Sequence, residues 1–532
     1  MSEAKKKHGQ SLFAATSIMA ALSLVASLLG FVRNIIMTTI FGMGVELDSY
    51  YAAFRIPDFL YMILVGGALS SAFIPVFGVY ITTGEEEKGY KMASTVLNLV
   101  LVFATVFCLI GEIFTPQLIE LTTRFAGEKF DLTVRLTRIM FCQCFFMCLT
   151  GVAMGICMSY KNFVPSSVGG VLYNLSIIVF GLLFSQVFDL GIAGFSISVV
   201  CGAVFNLLAH VRPIRREGFK YYPIIDMKHD GVHKFFKLFW PMLLGISVTQ
   251  LNLLVNQYFA SGLEDSTIAA MSNAQTIMEL PINLFGGSIA VAIFPTMAEH
   301  FAKGQIDDYK KDLSVSMRAT FFLAIPISAG LIALRVPLVR AMYYQGNFTN
   351  ENLELVSSLL MFYSLGILGY CCRLILSRGF YSAEDTKTPV RINITILTLN
   401  IVLSMIFVNF WGAKGLALAY ATAGFFSMGL LFTFLRRKMG TIRGKEMIIS
   451  AIKSVIAAGI MCVVIVPLRY GMESFMQTDG KIYHIIQLGV LFVIGVVSYF
   501  VAAYFLKMQE LKMVLDMAKR KFGRRKKKTE QN

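Results

Sequence analysis

Phe73-Ile74-Pro75, leading to Lys88-Gly89-Tyr90-Lys91, returns later in the chain as Ile293-Phe294-Pro295, leading to Asp308-Tyr309-Lys310. Pro75 and Pro295 stand 220 residues apart, and Tyr90 and Tyr309 stand 219 apart. A third echo, Gly191-Ile192-Ala193-Gly194-Phe195 against Gly412-Ala413-Lys414-Gly415-Leu416, has a spacing of 221. A nearly constant offset at separated places marks an internal repeat.

The segments between these echoes set the physics. Hydrophobic residues make up 56% of the 532 and charged residues only 15%, whereas a water-soluble surface needs nearer a quarter. Apolar runs of about 20 residues, enough to cross a hydrocarbon core of roughly 30 Å, recur along the whole length. In lipid such runs must be helical, because unpaired backbone groups find no water there. The expected fold class is therefore all-α, with about fourteen transmembrane helices. One repeat unit contains six of them. An even number gives both copies the same orientation, which implies two six-helix lobes related by a pseudo-two-fold axis along the membrane normal. The expected organisation is an N-terminal lobe over 1–211, a basic linker over 212–237, a second lobe over 238–438, two further spans within 439–506 and a basic tail over 507–532. The apolar stretch after Lys5-Lys6-Lys7 is too long for a cleavable signal and reads as the first span.

The formal net charge of +16 could point to nucleic acid, but its distribution excludes that partner. Lys and Arg gather in the two tails, in 212–237 and in 436–445, where orientation signals belong, so both termini are expected to be cytoplasmic. Intervening loops carry acids instead: Glu46, Asp48, Asp189, Glu264 and Asp265. Nine cysteines lie mostly in apolar segments at no metal-binding spacing and read as small buried hydrophobes. No nucleotide-binding glycine loop, nucleophile elbow or helical His-Glu metal pair is present, so no catalysis, metal or cofactor is expected. The driving force is then an ion gradient, the membrane potential or the cargo's own gradient, with no coupling ion specified.

An ionised side chain at mid-bilayer costs roughly 2.5–3.5 kcal/mol, so such residues tend to line water. Span 1 carries Gly30, Arg33 and Asn34. Span 2 carries Arg55 and Asp58 around Pro57, followed by Gly66 and Gly67, with Asp48 at its start. Proline and glycine should bend or break these helices and free backbone groups toward a cavity. Glu279 beside Pro281 repeats the pattern in span 8, and Gln250, Asn252 and Asn256 add polarity to span 7. Arg373 and Arg378 do so in span 10. One reading is an anion site lined by Arg33, Asn34, Arg55, Gln250 and Asn256. There Asp48, Asp58 and Glu279 gate or balance charge, and Gly30, Pro57, Gly66, Gly67 and Pro281 act as hinges. The other pairs Arg33 and Arg55 with Asp48 and Asp58 as a structural tie. Arg138 and Arg318 are expected to snorkel to the headgroups.

Six stretches stand out together: LLGFVRNII at 28–36, IFGMGVELDSYYAAFRIPDFL at 40–60, GALSSAFIPVFGVY at 67–80, SVTQLNLLVN at 247–256, IMELP at 277–281 and GFYSAEDTKTPVRI at 379–392. Taken together they resemble the MurJ/MviN family, lipid II flippases within a group that includes drug/ion antiporters and polysaccharide flippases. The resemblance implies an undecaprenyl-pyrophosphate-linked peptidoglycan precursor as cargo, moved by alternating access in the bacterial cytoplasmic membrane. Spans 13 and 14 would form a groove for its lipid tail, with membrane lipid and the cell-wall synthesis machinery as partners. Arg33, Asp48, Arg55 and Glu279 fall on family motif positions, as do Asp385, Lys387 and Pro389. Three positions at which many members carry arginine are Ser27, Tyr61 and Thr276 here, which thins the positive field unless arginines elsewhere compensate. The alternatives are a flippase for another polyprenyl-linked oligosaccharide and a cation-coupled drug exporter. The exporter should favour carboxylates over Arg33 and Arg55.

Overall fold

The structure is a computed structural model describing residues 2–65, 68–475 and 481–512. Every regular element among the described residues is helical, as lipid demands. By its internal contacts the chain divides into two compact units, Met1–Ala269 and Ala270–Asn532.

The first unit contains α1 (Ser2–Phe41), α2 (Val45–Leu64), α3 (Ala68–Thr83), α4 (Glu86–Ile113), α5 (Thr115–Thr122), α6 (Gly127–Ser159), α7 (Val164–Leu182), α8 (Gly191–Arg216) and α9 (Asp230–Ser261). One core of this unit joins Phe73, Phe77, Tyr90, Cys148, Ile156 and Phe235, drawn from α3, α4, α6 and α9. The helix over the seventh expected span thus packs within the first unit. The basic linker before it is strapped along α4. Asn98 Nδ2 donates to the carbonyls of Tyr222 and Ile224 at 3.3 and 2.8 Å, and Tyr221 Oη donates to Asn98 Oδ1 at 2.7 Å.

The chain enters the second unit within α10 (Thr267–Pro281). It continues as α11 (Ser288–Ala302), α12 (Ile306–Ala333), α13 (Arg335–Tyr343), α14 (Asn350–Leu365), α15 (Ile367–Ser382), α16 (Lys387–Met439), α17 (Gly444–Phe475) and α18 (Lys481–Phe505). Tyr309, Phe322, Phe380, Met461, Leu491 and Tyr499 share one core, so the two helices beyond the repeat are built into this unit. Tyr499 Oη donates to the Phe322 carbonyl at 2.8 Å.

The repeat has a conformational counterpart. Gly191 and Gly412 take φ of 55° and 54°, the left-handed region that costs any other residue Cβ strain. Three residues on, a Cβ at Gly194 would lie 2.7 Å from the Ser185 nitrogen, and one at Gly415 would run into the Phe407 carbonyl. Each unit therefore turns a corner on the same Gly-x-x-Gly chemistry. The short helices α5 and α13 also begin 220 residues apart, at Thr115 and Arg335. The bends before them match, Phe114 at φ −92°, ψ 13° and Leu334 at φ −100°, ψ 12°.

Large apolar side chains face outward: Val463, Ile482, Phe410 and Phe505 are 73%, 75%, 74% and 76% exposed. In water they would form an aggregating surface, whereas lipid tails match them. Eleven helices among the described residues are long and apolar enough to cross a membrane. The continuous α16 counts once, although it covers the expected spans at 389–409 and 413–435 and turns only at Gly412. The number fourteen rests on the sequence.

Candidate functional site

In the first unit, α1 and α7 pack together, and Arg33 stands at their contact. Its Nε and one terminal nitrogen donate to Asn34 Oδ1 at 3.3 and 3.2 Å, and the other terminal nitrogen donates to Asn174 Oδ1 at 3.3 Å. Asn174 is fixed in turn, its Nδ2 donating to the carbonyls of Ala26 and Gly170 at 3.2 Å each. A Cβ at Gly30 would come within 3.3 Å of Asn174 Oδ1, so glycine leaves the amide its place. Two amide oxygens thus orient the guanidinium without neutralising it. Tyr50 and Tyr173 lie within its electrostatic reach. One helix away, half-buried Asp58 lies in the field of Arg55. Among the described residues no ion pair within 4.0 Å involves Arg33, Arg55 or Asp58.

Asp48 does something else. It is 1% exposed and accepts from Lys129 Nζ at 2.9 Å and from the backbone N–H groups of Ser266 and Ala269 at 3.0 and 2.8 Å. Lys129 Nζ also donates to Asp265 Oδ1 at 2.6 Å, and Ser266 Oγ donates to the Met43 carbonyl at 2.8 Å. Asp48 therefore caps the first turn of α10 from a neighbouring helix, where a carboxylate meets unpaired N–H groups and the positive end of the helix dipole. The tie of Asp48 to Arg33 or Arg55 is not what forms. Lys129, in the first turn of α6, takes it; a lysine in a segment expected on the outer side breaks the positive-inside pattern and so could have drawn notice.

The hinge residues separate. α1 runs unbroken through Gly30 and α2 through Pro57; α2 ends at Leu64, and Val65 after it has φ −131°. Gly66 and Gly67, next in sequence, lie outside the described residues. Pro281 ends α10 and is followed by a π-helical turn, Ile282–Gly287. Glu279 is exposed one turn before it. In α9, Asn256 Nδ2 donates to Asn252 Oδ1 at 3.0 Å, and Gln250 is half-buried. At the three positions without arginine, Ser27 Oγ and Thr276 Oγ1 donate to carbonyls of their own helices at 3.0 and 2.8 Å, and Tyr61 is half-buried.

Arg318 corrects an expectation. It does not snorkel: it is 8% exposed and bound to Glu510, Gln509 and Glu446. Its partners lie 128 to 192 residues further on, beyond the reach of any local pattern. Arg138 is half exposed, 4.0 Å from Glu112. All nine cysteines are free; five are buried, while Cys142 is exposed.

A family model described as "Lipid II flippase MurJ" matches residues 37–505. The chain is similar to a "Probable lipid II flippase MurJ" of Vibrio cholerae serotype O1, 31% identical over 425 residues, covering 78% of this chain and 81% of that one. It is similar to another so described from Bdellovibrio bacteriovorus, 28% identical over 523 residues, covering 97% and 98%. Among solved structures, lipid II flippase MurJ in an inward closed conformation superposes with a TM-score of 0.76 at 25% identity, over 92% of this chain and 98% of that one. An inward-facing MATE family multidrug resistance transporter of the MOP superfamily gives 0.67 at 15% identity, over 80% and 98%, a likeness of fold alone.

Proposed function

The chain belongs to the lipid II flippase MurJ family, and from that premise we infer that it turns lipid II from the inner to the outer leaflet of the bacterial cytoplasmic membrane by alternating access. It is a multi-pass transporter, with lipid II and membrane lipid as the molecules it meets. The observation that carries the site is Arg33. A guanidinium inside an apolar helix is expensive unless it faces water or a partner, and here its partners are the neutral amides of Asn34 and Asn174. Such an arrangement keeps a net positive charge for an anion to meet, which suits a pyrophosphate-linked cargo.

In this reading Arg55 adds a second cation, and Asp58 and Glu279 balance the field. Gln250 and Asn256 supply neutral donors. Asp48 is the gating residue, since the bonds it makes to Ser266 and Ala269 can be made or released as a set. Lys and Arg in 212–237 and 436–445 support cytoplasmic termini, and the paired corners at Gly191 and Gly412 support a chain built from two repeated halves. The protein acts without catalysis of its own and hands its cargo to the cell-wall synthesis machinery.

The deciding experiment depletes the protein in a host lacking redundant flippases and measures outer-leaflet lipid II with an external probe. Outer-leaflet lipid II should fall; an unchanged level removes the reading. Arg33→Ala should fail to restore it, while Arg33→Lys restores it only in part, because an ammonium cannot span both asparagine oxygens. Accumulation of a different polyprenyl-linked oligosaccharide at the inner face would redirect the assignment to that cargo.

A further inference from the structure

In the second unit a short sequence builds an aromatic seat for a cation. Gly366 and Gly369 on α14–α15 face Ala421 and Gly424 on α16. A Cβ at Gly369 would lie 2.6 Å from the Gly424 carbonyl carbon, and one at Gly366 would lie 2.9 Å from Ala421 Cα. The helices therefore meet backbone to backbone, as small residues allow in lipid. That approach stacks Tyr370 on Tyr420, with ring centroids 4.3 Å apart and planes 17° from parallel. One turn beyond Tyr370, the Arg373 guanidinium carbon sits 5.1 Å from the Tyr370 ring centroid. Tyr420 lies within the electrostatic reach of both Glu279 and Arg373, and Tyr363 meets Tyr420 edge-on at 5.6 Å. Gln275 Nε2 donates to Tyr363 Oη at 2.9 Å, tying the cluster to α10.

Arg373 Nε is buried with no hydrogen-bond partner, and among the described residues no carboxylate lies within 4.0 Å of the guanidinium. A structural arginine would be satisfied by a carboxylate or carbonyls, and a snorkelling one would carry its nitrogens to the headgroups. A cation held by a ring face keeps its planar fork of N–H groups for something else.

We propose that Arg373, seated on the Tyr370–Tyr420 stack, is a further substrate-binding residue that takes a phosphate or carboxylate group of the lipid-linked precursor. This rests on the lipid II flippase reading. It supplies a cation that Ser27, Tyr61 and Thr276 do not.

The test measures binding by the purified full-length protein of lipid II and of polyprenyl pyrophosphate bearing neither sugar nor peptide. Arg373→Ala should weaken lipid II binding roughly tenfold or more, with its unfolding temperature close to that of the unaltered protein, and Arg373→Lys should recover part of the loss. Equal weakening toward polyprenyl pyrophosphate assigns the pyrophosphate as the anion. Weakening toward lipid II alone assigns a peptide carboxylate. Tyr370→Leu, which unseats the cation without removing it, should weaken binding in the same direction. The proposal is overturned if Arg373→Ala binds lipid II as the unaltered protein does, or if Arg373→Met lowers the unfolding temperature and loses no affinity. Failure of the unaltered protein to bind lipid II would overturn the functional reading itself, a result distinct from loss in the variant alone.

Discussion

Arg318 Nε donates to Glu510 Oε1 at 2.6 Å, joining the middle of α12 to the segment that follows α18. Both residues are nearly inaccessible, at 8% and 4% exposed, and Ser450 Oγ adds a bond of 3.1 Å to the same carboxylate oxygen. Gln509 and Glu446 complete the shell around the guanidinium. Removing one partner leaves the other charged and buried. Arg318→Ala should therefore destabilise the protein by about 3–5 kcal/mol, whereas Arg318→Met with Glu510→Met should recover much of that loss. Thermal unfolding of the purified protein checks both.

The carboxylate of Asp48 is the acceptor for two backbone amides at the start of α10. Asp48→Ala should speed hydrogen exchange at the Ser266 and Ala269 amides by about tenfold or more, and outer-leaflet lipid II should fall with it. Unaltered exchange at those two amides would remove the capping role.

Gly412 takes φ 54° and ψ −132°, backbone that is open essentially to glycine alone. Gly412→Ala should cost about 1–3 kcal/mol, and Gly191→Ala a comparable amount, because φ there is also positive. Gly459 sits inside α17 with open space around it, so Gly459→Ala should be neutral or stabilising. Unfolding temperatures of the three variants provide the comparison.

Asp385, in the turn between α15 and α16, should make stability depend on acid. Burial pushes its carboxyl up. Hydrogen bonds from the Thr388 N–H at 3.0 Å, Lys438 Nζ at 3.0 Å and Thr388 Oγ1 at 2.9 Å outweigh that and hold it at about 2, below the ordinary 3.8. A carboxyl held low in the folded state contributes stability that is fully present above about pH 4. That contribution is lost as pH falls toward about 2. Asp385→Asn should flatten this part of the profile of unfolding temperature against pH.

How much of this was legible beforehand depended on distance along the chain. Apolar runs and the 220-residue echo are local or periodic signals, and they led to helices and to the matching corners at Gly191 and Gly412. In the sequence Gly191-Ile192-Ala193-Gly194 marks the repeat, but nothing in it says that the turn is left-handed. Arg33 was visible as a cation out of place, yet Asn174 comes from 141 residues away and no periodicity links the two. Arg318 looked interfacial for the same reason: its carboxylate lies 192 residues ahead. Pro57 was expected to bend or break its helix, and α2 continues through it without a break. The missing donor of a proline removes one bond in a helix that keeps the rest, and the surrounding packing holds it together.

The wide turn at Ile282–Gly287 carries a consequence for phase. A π turn spends about one more residue per revolution than an α turn, so the stripe containing Glu279 is rotated by roughly 100° relative to the stripe containing Phe294 and Met297. A one-residue deletion, normally ruinous inside a helix, would here restore regular winding, and its harm would come from misaligned faces rather than from a broken rod. The extra residue works as a register shift, letting one continuous span offer its acid to one neighbourhood and its greasy side to another.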